Sequence, residues 1–160
     1  MSTDIFLKVD GVTGESKDAR HQGWIQIESF NWGATQPSGM EAGSGGGSGK
    51  VRYRDLTVNA FIDKATPNLV RYVSNGKHIN SVLLSSCKAG GEPLEFFRIA
   101  LKQVMVTDVI FNGASEQDLF TVTYCFRAAE VSNHYFEQTP EGSRGAEFSS
   151  GWNIKENREI

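Results

Sequence analysis

Alternation of apolar and polar residues runs through most of this chain, and it constrains the fold more than any other feature. Ile5, Leu7 and Val9 alternate with Asp4, Phe6 and Lys8, the period-two pattern of a strand whose two faces meet different surroundings. Residues 24–32 read as a second strand, with Trp24, Gln26, Glu28, Phe30 and Trp32 on one face and Ile25, Ile27, Ser29 and Asn31 on the other. Neither face is purely apolar, so the strand either changes the face it buries or contains a bulge that resets its register. Residues 51–61 and 81–88 give further strands. The segment 94–101, continuing through 104–111, is strand-like and must be long, bent or split. Residues 119–131 are rich in Thr, Val, Tyr and Phe, with strong β character. Asp10-Gly11, Gly90-Gly91 and Asn112-Gly113 supply turn chemistry, including the positive φ angles of tight hairpins.

One segment departs from this pattern. Thr66 suits a helix cap, Pro67 the first helical position and Gly76 the residue just past the end. Leu69, Val70 and Val73 fall on one helical stripe between them. A helix this short, about Thr66–Asn75, is marginal alone in water and must dock its stripe on the strands. A single helix cannot supply the crossovers of a parallel α/β sheet. The expected class is mainly β, closed as a small barrel or a two-sheet sandwich.

Two segments fall outside the strands. Residues 37–49 carry six of the 17 glycines, and such Gly/Ser composition behaves as a flexible coil. Residues 137–150 are polar, contain Pro140, Gly142 and Gly145, and read as a long loop before Gly151-Trp152-Asn153-Ile154. No internal repeat is visible, and the 160 residues fit one domain, 1–160.

Charge and composition remove several function classes. Lys plus Arg number 16 against 19 for Asp plus Glu, a net charge of -3, the wrong sign for a dedicated nucleic-acid binder. No run approaches the ~18 apolar residues of a membrane span. The N-terminus lacks the positive region and apolar length of a cleaved signal peptide, so the chain reads as made in a cytoplasm and, if exported, exported without one. Cys87 and Cys125 are too few for a disulfide scaffold and suit small apolar positions in strands.

Motifs that would carry chemistry do not assemble. Gly49-Lys50 invites a phosphate-loop reading, but that spacing puts Ser44 where the first Gly belongs and Val51 where Ser or Thr belongs, and a strand follows instead of a helix. His21, His78 and His134 are scattered without metal-ligand spacing. Glu92 with Glu95, or Glu116 with Asp118, would serve a glycosidase only if fixed across a cleft. No nucleophile elbow appears. Trp24, Phe30 and Trp32 would form a sugar-binding strip if exposed, although such residues in a strand are more often core. The residues alone therefore indicate a binding or structural module, with no enzyme activity, cofactor or metal expected.

A set of segments nevertheless resembles one known family in order and along essentially the whole chain. These are Asp4-Ile5-Phe6-Leu7-Lys8-Val9-Asp10-Gly11, Gly14-Glu15-Ser16-Lys17-Asp18, Trp32-Gly33, the glycine tract into Gly49-Lys50-Val51, and Asp55-Leu56. Asp63-Lys64-Ala65-Thr66-Pro67-Asn68-Leu69, Gly76-Lys77-His78, Lys88-Ala89-Gly90-Gly91-Glu92 and the closing Gly151-Trp152-Asn153-Ile154 follow. The chain resembles the Hcp (haemolysin-coregulated) family, the tube proteins of bacterial type VI secretion systems.

The resemblance implies a β-barrel of two packed antiparallel sheets with one helix, assembling into homohexameric rings. Those rings stack into a hollow tube that a sheath drives outward behind a spike, and they carry or chaperone effector proteins in the lumen. It places Asn31 at a lumenal position where relatives commonly have Ser. The loop residues Met40, Glu41, Gly43, Gly45, Gly46, Gly47, Gly49 and Lys50 are expected to reach an adjacent subunit or ring. Arg52, Arg54 and Asp55 are expected in complementary patches between copies. The competing expectations are a monomeric β-barrel adaptor or lectin-like module, and an effector enzyme derived from the tube scaffold.

Overall fold

The computed structural model describes residues 2–37, 49–89 and 93–160. Its strands are β1 (Thr3–Val9), β2 (Ile25–Asn31), β3 (Ala34–Thr35), β4 (Arg52–Tyr53), β5 (Leu56–Phe61), β6 (Ile79–Lys88), β7 (Leu94–Asn112), β8 (Thr121–Gln138), β9 (Arg144–Asn153) and β10 (Arg158–Glu159), with helix α1 (Thr66–Asn75) between β5 and β6. The sheet runs β10-β9-β8-β5-β2-β1-β6-β7 and closes because β7 also pairs with β8. Six strands, β1, β2, β5, β6, β7 and β8, thus form a closed antiparallel barrel, and β9 and β10 extend from the far half of β8. Closure satisfies both edges of every barrel strand.

The core is filled by Leu7, Val9, Ile25, Ile27, Leu56, Val58, Leu84, Ile99, Leu101, Val122, Tyr124 and Phe126, all nearly inaccessible to solvent. The mixed faces of β2 have the expected cause. Its register with β5 shifts between Ile27 and Ser29, so Ile25 and Ile27 point inward before the irregularity and Phe30 after it. The segment after Leu94 is one strand of 19 residues with two resets. Gln103 adopts φ 53, and the inward positions change from Ile99 and Leu101 to Val104 and Val106 across it. Between Val106 and Asp108 the pairing with β8 shifts again. Thr107 sits in that irregularity and donates to Asp55 Oδ2 at 2.7 Å, while Arg127 Nε donates to Asp55 Oδ1 at 3.0 Å.

Several local expectations need correction. Residues 137–150 are not a long loop: β8 continues to Gln138, a turn follows with Gly142 at φ 82, and β9 begins at Arg144. Polar composition concealed a strand that covers β8 from one side only. Residues 51–61 divide into β4 and β5 instead of forming one strand. Phe6 is not a solvent-facing residue, since it is 4% exposed and stacks on His21 with ring centroids 4.2 Å apart. Asn112-Gly113 is not a tight hairpin. Residues 113–120 join the strands, and Gly113 has no positive φ but leaves room for Phe120, whose ring would lie 2.7 Å from an added Cβ.

Thr66 is not the helix cap. The cap is Ala65, and the Thr66 hydroxyl instead accepts from Asp63 N at 3.1 Å and meets the buried Tyr124 hydroxyl at 2.6 Å. The docked stripe is Leu69, Tyr72 and Val73, with Val70 outside it. Gly76 ends the helix in the left-handed region, φ 67, as its position suggests.

Candidate functional site

The barrel presents two exposed apolar clusters, at opposite ends of the β7–β8 hairpin. At the hairpin tip lie Phe61, Ile62, Phe111, Leu119 and Phe120, between 40% and 60% exposed. The Ile62 N–H donates to the Phe120 carbonyl at 3.0 Å, which ties the end of β5 to this tip. Two hollows of about 330 and 350 Å³ flank Ile62, the first rimmed by Glu15, Glu28 and Asp63. Burial, ahead of the neighbouring Glu15 charge, raises the Asp63 carboxyl above its ordinary value.

At the other end, beyond the barrel mouth, Tyr135 on β8 lies opposite Phe148 on β9 and opposite Phe97 on β7. Tyr135 is 50% and Phe148 57% exposed, whereas Phe97 turns partly inward and stacks with Phe30 at 6.2 Å. The 15 steps from Phe120 to Tyr135 span at most roughly 50 Å at ~3.3 Å per residue. Large exposed aromatic clusters of this kind mark interaction sites.

Between these ends, the outward face of β2, β5 and β8 is a ladder of small polar groups. Ser29, Asn59 and Thr123 are cross-strand neighbours, with Asn59 Nδ2 donating to Ser29 Oγ at 3.0 Å and Thr123 Oγ1 to Asn59 Oδ1 at 2.7 Å. In the next row Asn31, Thr57 and Cys125 align, with Thr57 Oγ1 3.4 Å from Cys125 Sγ. Asn31 is exposed on this wall. Ser29 and Asn31 continue the alternation of Ile25 and Ile27, and the β2 irregularity turns them outward instead of into the core.

The remaining sequence candidates separate. Met40, Glu41, Gly43, Gly45, Gly46 and Gly47 lie outside the described residues, and Gly49 and Lys50 are exposed where the chain re-enters them. Arg52 and Arg54 are exposed, but Asp55 is bound internally to Thr107 and Arg127. Cys87 is buried and Cys125 half-buried, both as free thiols, and burial raises the Cys87 thiol above its ordinary value. His21 is buried with Nδ1 2.7 Å from Asp18 Oδ2, His78 is exposed, and His134 contacts Glu147 at 3.1 Å. Glu116 and Asp118 are exposed on the hairpin tip, and Glu92 lies outside the described residues. No group of three potential metal ligands occurs among the described residues. Trp24, Phe30 and Trp32 form no common strip: Trp24 meets His21 edge-on, Phe30 stacks on Phe97 and Trp32 on Tyr53.

Two features escaped the sequence reading. The Tyr135–Phe148 cluster was hidden by the loop assignment, although Ala146, Phe148, Ser150 and Trp152 do alternate with Glu147, Ser149 and Gly151. Trp152 also lines a hollow of about 410 Å³ with Tyr53 and Gln36, and its Nε1 is buried with no hydrogen-bond partner among the described residues.

Comparison with known proteins fits this geometry. A family described as "Type VI secretion system effector, Hcp" matches residues 6–133. Protein hcp1 of Pseudomonas aeruginosa is 40% identical over 159 residues, covering 98% of each chain. A solved type six secretion system protein superposes with a TM-score of 0.93 at 29% identity, covering 99% of this chain and all of its own. Hcp1 from Salmonella typhimurium superposes at 0.83 with 34% identity over the whole of both chains. No helix among the described residues is long and apolar enough to cross a membrane. With the barrel, the helix α1 and the overhanging strands matched from end to end, this chain belongs to the Hcp family of type VI secretion proteins.

Proposed function

We propose that the chain is a structural subunit of the type VI tube, forming hexameric rings that stack into a hollow conduit and carry or chaperone effector proteins in the lumen. The observation that carries this reading is the pair of unlike apolar clusters at opposite ends of one hairpin on a closed barrel. Unlike patches that meet head to tail generate rings when the rotation closes. A barrel whose own edges are satisfied offers such patches without unravelling.

The ladder of Ser29, Asn31, Thr57, Asn59 and Thr123 suits the lumenal wall. Its hydroxyls and amides are largely bonded to one another, so cargo meets a surface with little apolar grip and no net charge. Asn31 in this reading faces cargo. Residues 40–50 contact an adjacent subunit or ring, recovering the backbone entropy of ordering a glycine-rich segment only through a repeated contact. Effectors, sheath and spike are the further partners. The subunit leaves the cell through the apparatus itself.

The test is solution mass combined with electron microscopy of the purified protein. A species near six times the 17.6 kDa chain mass, imaged as a ring with an open centre, is the expected result. A strictly monomeric protein at high micromolar concentration, or a ring with a filled centre, overturns it. Deleting residues 43–49 is the second arm: the barrel stays folded and assembly weakens.

A further inference from the structure

A cleft of about 330 Å³ opens beside the start of β7, away from the hairpin-tip cluster, its Arg98 next in sequence to Phe97 of the other cluster. Three guanidinium groups, those of Arg20, Arg98 and Arg144, line it together with Ser85, Glu95 and Trp24. Behind two of the guanidinium groups lies Phe136, 1% exposed, with Arg144 stacked over its ring at 3.6 Å from the centroid and Arg98 at 5.5 Å. Such stacking fixes a guanidinium in orientation while leaving its in-plane N–H donors open.

The donors are unequally used. Arg98 grips Glu95 with Nε, 3.1 Å from Oε2, and with Nη2, and the Ser85 hydroxyl adds a further bond to the same carboxylate. Glu95, only 13% exposed at its side chain, is thereby consumed. Arg144 Nη1 stands 3.9 Å from Glu95 Oε1, beyond hydrogen-bond range, and its side chain has no acceptor among the described residues. Arg20 spends Nη1 on the Pro93 carbonyl at 2.6 Å, and Asp18 at the cleft's edge is engaged with His21.

Three guanidinium groups face Glu95 and Asp18, both already engaged, with Asp4 close enough to act on Cys87 in the same cleft, so the open Arg144 fork, and not an excess of charge, marks the site. Partial desolvation strengthens charge–charge attraction, and a fixed fork suits the planar geometry of a carboxylate.

We propose that this cleft binds the carboxylate side chain of an acidic peptide segment, with Arg144 as the principal fork and Arg20 as its support. The experiment titrates the full-length protein with an acetylated, amidated hexaglutamate peptide, reading binding by calorimetry and by the emission of Trp24 in the cleft wall. R144Q weakens binding at least tenfold, R144K several-fold because charge survives without the fork, and R127Q, on a distant ion pair, leaves it unchanged. R20Q, which leaves the Phe136 stack intact, weakens binding severalfold and serves as the check should R144Q shift the unfolding midpoint. Equal affinity of R144Q, R20Q and the unaltered chain overturns the proposal. So does displacement of the peptide by an equal concentration of inorganic phosphate, which would make the cleft a general anion site.

Discussion

Tyr124 and Thr66 join the barrel wall to the helix through one buried contact, and alkaline pH tests it. The Tyr124 phenol is fully buried, its hydroxyl 2.6 Å from Thr66 Oγ1, and burial pushes its pKa up from 10.0 to about 12. The folded state therefore holds the phenolic proton more tightly than the unfolded chain. This contribution is fully present below pH 10, and it is lost as pH rises from the unfolded value towards the folded one. Once pH exceeds both values the loss reaches about 2.7 kcal/mol, and at pH 11 it is about 1.4 kcal/mol. In Tyr124→Phe the titration disappears, at the cost of a buried hydrogen bond of about 1–2 kcal/mol at neutral pH. Urea unfolding of both proteins at pH 8 and pH 11, at one fixed protein concentration, gives the comparison. The unaltered chain should be the more stable at pH 8, with the gap closing near pH 11. Parallel stability curves would refute the buried, neutral phenol as the link between helix and barrel.

Four other outcomes follow from the same structure. Gly14→Ala places a Cβ 2.6 Å from the Trp24 carbonyl oxygen, a backbone contact, and should destabilise by about 1–3 kcal/mol in chemical denaturation. Gly76→Ala forces a side chain into the left-handed cap and should cost about 1 kcal/mol by the same measurement. Leu119→Asp with Phe120→Ser, or Tyr135→Ser with Phe148→Ser, should dissociate the assembly on size-exclusion chromatography while circular dichroism stays unchanged; retained assembly in both pairs would refute the end-cluster reading. The hydrogen bond from His21 holds the Asp18 carboxyl below its ordinary value, so its stabilisation is present above the unfolded carboxylate range and fades as pH falls through the lowered folded value. Asp18→Asn should flatten the acid limb of the stability curve.

Alternation made the barrel legible, because each inward residue of a closed sheet must be apolar and the outward one need not be. The irregularity in β2 was visible as two mixed faces, and α1 as a Pro–Gly bracketed stripe. The face of β1 was not, because Phe6 is covered by a loop residue, His21, that sequence spacing does not bring near it. β9 was missed because exposed strands need no apolar residues, and Gly145 and Gly151 resemble loop chemistry. The apolar clusters escaped for another reason: Leu119 and Phe148 look like core residues until the fold leaves them uncovered. The arginine cleft joins residues from four distant stretches, and nothing local announces it.

The seam between β7 and β8 has a mechanical consequence. It runs unbroken in direction from Phe97–Tyr135 to Asn112–Thr121, with the hydrogen bonds lying across the strands. A pull that drags one strand lengthwise past the other loads many of those bonds together in shear, whereas β10, attached through only two residue pairs, peels off bond by bond. Under tension the terminal ribbon should detach first, and the doubled spine should hold the barrel's shape until last.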